Sequence, residues 1–404
     1  MALGLPTIKI KAQTSSNSPY TRYGYGTLSD RSFGAGRSMG GIGFGLRSKY
    51  QINPMNPASY SAMDSLTFLF DFGVAGSVSS FKDDTNTENN FNGNFEYMAL
   101  QFPVTSQLAL SAGILPFSTV GYTFGASNEK DDVSYTETYS GEGNLSEIYI
   151  GGAYDIIKDR LSLGVNVSYL FGNLTHTSTS TISQSGAYSM NRYQKIDVND
   201  VRFDIGAQYT YPIGKEEWLT FGLSISPGKK LHSKSYDYAI LTDGSVYQSD
   251  TLKNADNGVA TKIGFGVTYN KLDHVTLGAD ILYEDWGNQK YFGDTDYFKN
   301  RTRIALGGEY IINTKARNIF SRTRYRAGVH YSNSYVNIKG NGVDEYGASF
   351  GLGLPLVDNR SLLNIGFEYI NIKPNGPTMI KENYFRFTLN YTFNELWFFK
   401  RKIN

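Results

Sequence analysis

From residue 66 almost to the C-terminus, apolar and polar side chains alternate with a period of two, and this is the feature that most constrains the fold. In "LTFLFDFGVAGS", Leu66, Phe68 and Phe70 share one face, and Thr67 and Asp71 occupy the other. Such alternation is typical of a β-strand with one apolar face. The stripes cover residues 66–74, 148–156, 161–171, 201–211, 219–225, 263–269, 275–283, 304–312, 325–331, 346–354, 363–369 and 385–393, and two less regular segments cover 91–102 and 106–125. The sequence thus predicts 14 strands, an even number.

The composition agrees with strands that face lipid on one side. The chain has 404 residues, with 31 Tyr, 25 Phe and 43 Gly, and its mean hydropathy is −0.35. When lipid-facing and interior-facing residues alternate along a strand, the average hydropathy comes out polar. No run of 18 uncharged apolar residues occurs, so the sequence offers no transmembrane helix.

The spacing of the stripes alternates between short and long connections. Long polar connections follow odd-numbered segments and cover residues 82–90, 126–144, 172–199, 230–257 and 287–300, whereas most of the other connections are short turns. Short turns at one end and long loops at the other are typical of membrane barrels, and a soluble β-sandwich or propeller would not alternate so regularly. We therefore expect an all-β fold, a 14-stranded antiparallel transmembrane β-barrel over residues 65–394.

A glycine-rich stretch precedes the first strand, "GAGRSMGGIGFGLRSKYQINPMNPASY". It fails as a dinucleotide fingerprint because the third glycine and a preceding strand are missing. It is also too rich in apolar residues and turn formers for a free linker. We interpret residues 13–64 as a plug (hatch) folded inside the barrel, where small residues allow close backbone approach. The plug residues that we single out are Gly34, Gly36, Gly40, Gly41, Gly43, Asn56 and Pro57.

Each end of the chain allows a separate prediction. Residues 1–12 are expected to be the remnant of a signal peptide cleaved near Gln13, although an ordinary disordered terminus would also fit. Residues 395–404 are expected to form a periplasmic tail with Trp397 and Phe398 at the membrane interface. This arrangement puts both termini in the periplasm.

The order of these features resembles FadL-type outer-membrane transporters of hydrophobic compounds. The resemblance lies in the glycine-rich segment, the polar spacer and "NPAS" at residues 56–59 directly before the first strand. It implies a fourteen-stranded barrel with an N-terminal hatch in the bacterial outer membrane. The wording "SMGG", the "AQ" processing site and the "WFFKRK" tail are similar to Bacteroidota members of this family.

The third segment, "LALSAGILPFSTVGYTFG", contains a proline where a barrel strand needs a hydrogen-bond donor. We expect the ladder to break at Pro116. The resemblance implies that such a kink forms a lateral opening, here near Gly113, Pro116, Phe117 and Gly121. A tolerated bulge, or a strand already above the membrane, is the alternative.

The faces opposite the apolar stripes carry charges of both signs in similar number. They are Asp71, Asp155, Arg202, Asp204, Lys262, Asp280, Glu284, Arg303, Glu309, Arg324, Arg326, His330, Glu368 and Arg386. A pairing network that holds the plug, or a wet interior, explains both signs better than an ion-selectivity filter does. Four inward leucines, Leu69, Leu115, Leu170 and Leu282, are candidates for an apolar pocket in the interior.

These features favour binding and transport over catalysis. The four histidines show no Ser-His-acid order and no metal-ligand spacing, so we predict no enzyme, no metal and no cofactor. A net charge of +1 gives no attraction to nucleic acid. The leading hypothesis is passive uptake of a hydrophobic, fatty-acid-like ligand by a barrel embedded in outer-membrane lipids. The alternative is a non-transporting scaffold that binds other outer-membrane or periplasmic proteins in a type 9 secretion or β-barrel assembly complex, and a plain porin, which needs no plug, is third.

Overall fold

Fourteen long strands dominate the computed structural model, which describes residues 18–83, 86–130, 133–182, 188–241, 243–251, 255–272, 274–356, 360–376 and 379–396. The expected processing site and most of the expected C-terminal tail lie outside these residues. The strands are β1 (Thr67–Lys82), β2 (Thr87–Pro103), β3 (Leu108–Lys130), β4 (Val133–Ile157), β5 (Leu161–Ile182), β6 (Met190–Pro212), β7 (Glu217–Ser226), β8 (Thr261–Lys271), β9 (Val275–Asp285), β10 (Arg301–Ile311), β11 (Arg324–Asn333), β12 (Val343–Pro355), β13 (Leu362–Pro374) and β14 (Lys381–Leu396).

The strands pair with their neighbours in sequence order, all antiparallel, and the sheet closes on itself. The closing pair is β14 with β1, in a register that runs from Lys381 opposite Lys82 to Leu396 opposite Thr67. Closure satisfies the backbone groups that an open sheet edge would leave bare in lipid. The predicted 14-stranded antiparallel barrel is therefore confirmed.

The apolar stripes lie on the outer face of the wall. On β5, Leu163, Val165 and Val167 are exposed, while the residues between them are buried in the interior. A large exposed apolar belt is the surface that a membrane barrel presents to lipid. No helix among the described residues has the length and hydropathy needed to cross a membrane.

Two of the predicted long loops, residues 126–144 and 172–199, are instead mostly strand. The β4–β5 ladder continues to Tyr135 opposite Ile182, well beyond the end of the apolar stripe. A hairpin of Ser233–Leu241 and Val246–Thr251 adds to β6 and extends this wall further. The loop prediction was wrong there because Ser, Thr and Tyr make stable cross-strand pairs without an apolar face.

The remaining elements are short. They are the 3₁₀-helices Pro19–Arg22 and Pro57–Ala62, the α-helical turns Gly34–Arg37 and Ile319–Arg322, and the strands Thr27–Leu28, Lys229–Lys230 and Gly258–Val259. We define the N-terminal segment as residues 18–64. It contains the elements Pro19–Arg22, Thr27–Leu28, Gly34–Arg37 and Pro57–Ala62.

The interior contains two large apolar clusters at different heights. The turn-end cluster lies near the short turns and joins Phe33, Ile52 and Tyr60 of the N-terminal segment to wall residues such as Leu69 and Tyr97. The loop-end cluster lies near the long connections and is built around Tyr25, Phe117, Leu170, Trp286, Tyr291, Phe298 and Tyr335. The N-terminal segment contributes to both clusters and so crosses the interior from one end to the other.

Candidate functional site

The glycine-rich loop of the N-terminal segment forms an anion-binding nest, and the anion is a carboxylate of the barrel wall. Asp280 on β9 accepts hydrogen bonds from the backbone N–H groups of Gly43, at 2.6 Å, and Phe44, at 2.9 Å. Consecutive N–H groups in a tight turn favour an anion. Gly40 and Gly41, which precede the nest, have φ values of +72° and +84°, a conformation that side chains disfavour. The glycine-rich stretch therefore serves to dock this segment onto the wall.

Inward-facing glycines on the wall allow the backbone of the N-terminal segment to touch the strands directly. A Cβ added at Gly222 would collide with the carbonyl of Phe44, and one at Gly328 would collide with the backbone of Met39 and Gly40. We call the set the glycine track, and it comprises Gly164, Gly206, Gly222, Gly266, Gly307 and Gly328. Its members are cross-strand partners in pairs: 164 with 206, 222 with 266, and 307 with 328.

The glycine track was missed by the sequence reasoning. A usable indication was present, because these glycines occupy polar-face positions between the residues of the apolar stripes. In a strand, glycine weakens the sheet unless a ligand or another backbone approaches closely. Several such glycines on successive strands therefore indicate that backbone fills the interior.

Asn56 and Pro57 fix the end of the N-terminal segment. The Asn56 side-chain amide donates to the carbonyls of Phe44, at 2.8 Å, and Ala207 of the wall, at 3.1 Å. Its oxygen accepts from the N–H of Ala58, at 3.1 Å, and so caps the 3₁₀-helix that begins at Pro57. The Asn-Pro step is therefore both a cap and a wall contact.

Paired charges lie between the two apolar clusters and tie the N-terminal segment to the wall. Arg31 bridges Asp204, at 2.8 Å, and Glu147, and the latter also pairs with Arg202. On the other side of the interior Arg303 pairs with Asp30, at 3.1 Å. Both signs are present and matched, so we call this the ionic layer; Arg37, which pairs with Glu96, also belongs to it.

The ionic layer keeps Asp30 ionised. Burial raises the pKa of Asp30, but the nearby Arg303 and Arg37 guanidiniums outweigh burial and hold that pKa below its ordinary value. The negative charge at Asp30 therefore persists at neutral pH, and the pair with Arg303 contributes to docking of the segment.

The wall is incompletely paired between β2 and β3. Their ladder runs only from Pro103 opposite Ala109 to Met98 opposite Ile114. Beyond that point, residues 87–97 of β2 pair with β1, and residues 115–130 of β3 pair with β4, but no β2–β3 pairing continues within the described chain. We call this gap the open seam.

The N-terminal segment lies along both edges of the open seam. On the β3 side, its strand Thr27–Leu28 pairs opposite Thr119 and Ser118, and the N–H of Ser29 donates to the carbonyl of Phe117 at 2.9 Å. On the β2 side, Phe33 stacks on Tyr97, with ring centroids 3.5 Å apart. The backbone groups freed by the missing ladder are thus partly satisfied by strand addition from the same chain.

The four residues predicted for a lateral opening follow β3 into the open seam. Gly113 pairs opposite Ala99, one step before the ladder ends. Pro116 sits at a bulge in the β3–β4 pairing, between it and Ser118. Phe117 belongs to the loop-end cluster, and the backbone of Gly121 exchanges hydrogen bonds with Thr21.

The four leucines proposed for an interior pocket do not converge. Leu69 and Leu115 lie in the turn-end cluster and Leu170 lies in the loop-end cluster, on the other side of the ionic layer. Leu282 faces inward but is half-buried and belongs to neither cluster. Alternation predicts the face on which a residue lies but not its height, so it could not predict this separation.

No grouping of three or more His, Cys, Asp or Glu within the described ranges has the geometry to hold a metal ion. His176, above the apolar belt, contacts the hydroxyls of Tyr122, at 2.9 Å, and Tyr291, at 3.3 Å. His330 faces Glu345, at 3.0 Å. Both of these histidines are therefore engaged in the packing of the interior.

Solved structures of similar fold include two that are named toluene transporters. The Ralstonia pickettii toluene transporter TbuX superposes with a TM-score of 0.59 at 13% identity, covering 90% of this chain and 98% of that one. The Pseudomonas putida toluene transporter TodX gives 0.58 at 15% identity, and a Pseudomonas aeruginosa FadL homologue gives 0.58 at 14%, each covering 92% of this chain and 99% of the other. The resemblance to FadL-type proteins is confirmed at the level of the fold.

Sequence comparison gives a more specific assignment than structural likeness. No curated protein sequence is similar enough to this chain to count as a match. One family model, BamG, matches residues 1–404, the full length of the sequence. The chain, a fourteen-stranded barrel of similar fold to FadL-type proteins whose interior holds its own N-terminal segment, belongs to the BamG family.

Proposed function

We propose that this protein is an outer-membrane barrel that allows passive uptake of hydrophobic small molecules, which leave sideways through the open seam. The observation that carries this proposal is the loss of β2–β3 pairing beyond Met98 and Ile114. Closed membrane barrels keep every ladder complete because lipid offers no hydrogen-bond partner. A gap beside Pro116 leaves backbone groups without ladder partners, and the exit of a solute through the gap accounts for it.

The arrangement of the interior favours a sideways exit over a straight one. An apolar solute in the loop-end cluster would meet the ionic layer before it could reach the turn end of the barrel. Passage through a layer of buried, mutually paired charges would break those pairs without replacing them. Phe117 lies at the border between the cluster and the seam, so the apolar route runs outward past its ring.

The strand Thr27–Leu28 would act as the gate of this exit. It occupies the edge of β3 at Thr119 and Ser118, where a leaving solute would pass. Only two residues pair there, so its release breaks few hydrogen bonds. Short, peripheral pairings are the parts of a fold that open locally.

Monoaromatic hydrocarbons are the first solutes to test. Two of the similar structures are called toluene transporters and another is called a monoaromatic hydrocarbon channel. The aromatic composition of the loop-end cluster suits a ring-shaped apolar solute, because aromatic pairs gain energy beyond their buried area.

A disulfide across the gate tests the proposal, and the chain offers a cysteine-free background. Leu28→Cys with Ser118→Cys joins two directly opposed residues, and the oxidised protein is expected to lose uptake of radiolabelled toluene into proteoliposomes until a reductant restores it. Ser127→Cys with Thr136→Cys, which joins β3 to β4 on the edge of β3 that faces away from the seam, is the matched control. Equal uptake by the oxidised and reduced gate variants would contradict the lateral route.

A scaffold function is the second candidate, and the projecting wall supports it. Strands β3 to β6 and the added hairpin extend beyond the apolar belt, where Val246 and Tyr247 are exposed. Such a surface, at the loop end of the barrel, is suited to contact other outer-membrane proteins. Purification from native membranes in mild detergent separates the candidates: stoichiometric partner proteins favour the scaffold, and an isolated barrel with bound fatty acid favours transport.

A further inference from the structure

A cavity of about 760 Å³ lies at the turn end of the barrel, beneath the N-terminal segment. Its roof includes Ala35, Met39 and Leu46 of that segment, and its rim includes the exposed turn residues Lys158 and Arg160. Ala35, Met39 and Leu46 are themselves buried, so packed protein lies above the cavity, and the exposed turn residues mark its open side. Its volume falls in the range of ligand-binding sites. We call it the vestibule.

The vestibule is lined by more cations than anions. Its charged lining residues are Arg47, Lys49, Lys158, Arg160, Arg324 and Arg326 on the positive side and Asp159 and Glu309 on the negative side. Arg47 and Lys49 pair with Asp155 and Asp64 outside the lining, so the excess comes from the Lys158–Arg160 turn and from β11. A concave site with one sign of charge in excess focuses its field and concentrates ligands of the opposite sign. The excess therefore predicts an anionic occupant.

One side of the vestibule concentrates positive charge on β11. Arg324 and Arg326 share a single carboxylate, Glu309, at 2.8 Å and 2.6 Å. The guanidinium of Arg324 also lies over the ring of Tyr50, 4.6 Å from its centroid. This stacking holds Arg324 in place and leaves its outer N–H groups available, because one carboxylate cannot neutralise two guanidiniums.

The other side carries two cations on one turn. Lys158 and Arg160 occupy the turn between β4 and β5 and form no ion pair within the described residues. The turn and β11 are six or seven strands apart in a closed barrel of fourteen, so they face each other across the opening. A single small anion cannot contact both groups at once, whereas an extended chain with several carboxylates can.

Two other occupants are disfavoured by the structure. The strands of the wall separate the vestibule from the bilayer, so a lipid head group would have to leave its leaflet to enter. The ends of this chain that lie outside the described residues are themselves basic: residues 1–17 contain two lysines and residues 397–404 contain Lys400, Arg401 and Lys402, and neither contains an acid. Charge complementarity therefore favours a different molecule.

We propose that the vestibule binds an acidic, extended peptide segment of a partner protein. Carboxylates of the peptide pair with Arg324 on one side and with Lys158 and Arg160 on the other, and Trp218 and Tyr50 provide aromatic surface between them. This inference does not depend on whether the barrel transports solutes, since the vestibule is separated from the open seam by the N-terminal segment.

The test uses the full-length protein in detergent and a short fluorescein-labelled peptide with glutamate at alternate positions, followed by fluorescence anisotropy. The peptide is expected to bind with an affinity that falls as salt rises, and the same peptide with glutamine is expected not to bind. Arg160→Glu is expected to weaken binding by roughly tenfold, since it reverses a charge at contact distance. Lys215→Glu, on a neighbouring turn outside the vestibule, has the same charge change and is expected to leave binding unchanged.

Three outcomes would overturn the proposal. The first is equal binding of the glutamate and glutamine peptides. The second is an equal effect of Arg160→Glu and Lys215→Glu, which would show general attraction to the charged end of the barrel. The third is displacement of the peptide by inorganic phosphate or by phosphatidylglycerol micelles, where chloride of equal ionic strength has no effect. Displacement by phosphate would identify a phosphate site, and displacement by the micelles would identify a lipid site. Since Arg160 is exposed on a turn, its substitution is not expected to disturb folding.

Discussion

Gly43 donates its backbone N–H to the carboxylate of Asp280 at 2.6 Å, and this hydrogen bond joins the centre of the glycine-rich loop to the middle of strand β9. Phe44 donates to the same carboxylate oxygen. A charged acceptor makes such hydrogen bonds shorter and stronger than neutral ones. The loop therefore has one defined position against the wall, although it contains no regular secondary structure of its own beyond a single helical turn.

Asp280→Asn is expected to loosen the N-terminal segment while leaving the barrel closed. The substitution removes the negative charge from the nest and should cost about 1–3 kcal/mol of docking free energy. Hydrogen–deuterium exchange of residues 34–46 is expected to become faster. Asp285→Asn, at the end of the same strand, is the matched control and should leave that exchange unchanged; similar rates in both variants would refute a special role for the nest.

Pro116→Val is expected to abolish toluene uptake without unfolding the barrel. Valine restores the backbone donor that proline lacks and allows β3 to pair more completely, which narrows the open seam. Pro103→Val, at the fully paired end of β2, is the control and should transport normally. Uptake is measured in proteoliposomes, and the heat-dependent shift of the barrel in gel electrophoresis reports folding. If the protein is a scaffold and does not transport, neither substitution should change the binding of its partner proteins.

Gly222→Leu is expected to expel part of the N-terminal segment from the interior. The new side chain would occupy the position of the Phe44 carbonyl, and overpacking of this kind costs about 1–3 kcal/mol or more. Ion conductance in planar bilayers should therefore rise. Gly93→Leu is the matched control, because a Cβ there meets nothing within 4 Å. Unchanged conductance in Gly222→Leu, with the leucine accommodated, would show that the glycine track is not needed for close packing.

The pair between Asp30 and Arg303 predicts a pH dependence of docking. Because the pKa of Asp30 is below its ordinary value of 3.8, the charge stabilises the docked segment fully above that pH, and the contribution is lost as pH falls through the lowered pKa. Asp30→Asn should therefore exchange faster than wild type in residues 27–37 at pH 7, and the two proteins should converge only when the pH has fallen below the lowered pKa of Asp30. A difference that persists undiminished at low pH would assign the effect to shape and not to charge.

The strands inside the apolar belt follow from local sequence, whereas the continuations of those strands beyond the belt do not. Apolar stripes predicted the strands because each outward residue meets lipid, and this requirement applies at every position of the belt. Beyond the belt, as at Thr177 opposite Ser140, no face is apolar, so the alternation carries no information and the sequence predicts a loop where the structure has strand. Pro116 was informative for the opposite reason, since a missing donor has a local consequence, and the structure has a bulge beside it and an open seam beyond Ile114.

The sequence by itself determined which side of each strand meets lipid, how many strands close the barrel, and that a glycine-rich segment needed a tightly packed environment. These properties depend on side-chain type and on a period of two, which can be read along the chain. Only the tertiary structure decided that Asp280 would fill the nest, that Arg31 would bridge Glu147 and Asp204, and that Thr27–Leu28 would pair with β3. Each of these contacts joins residues far apart in sequence at one height in the interior, and that height is set by the stagger of the closed sheet, a property of all fourteen strands together.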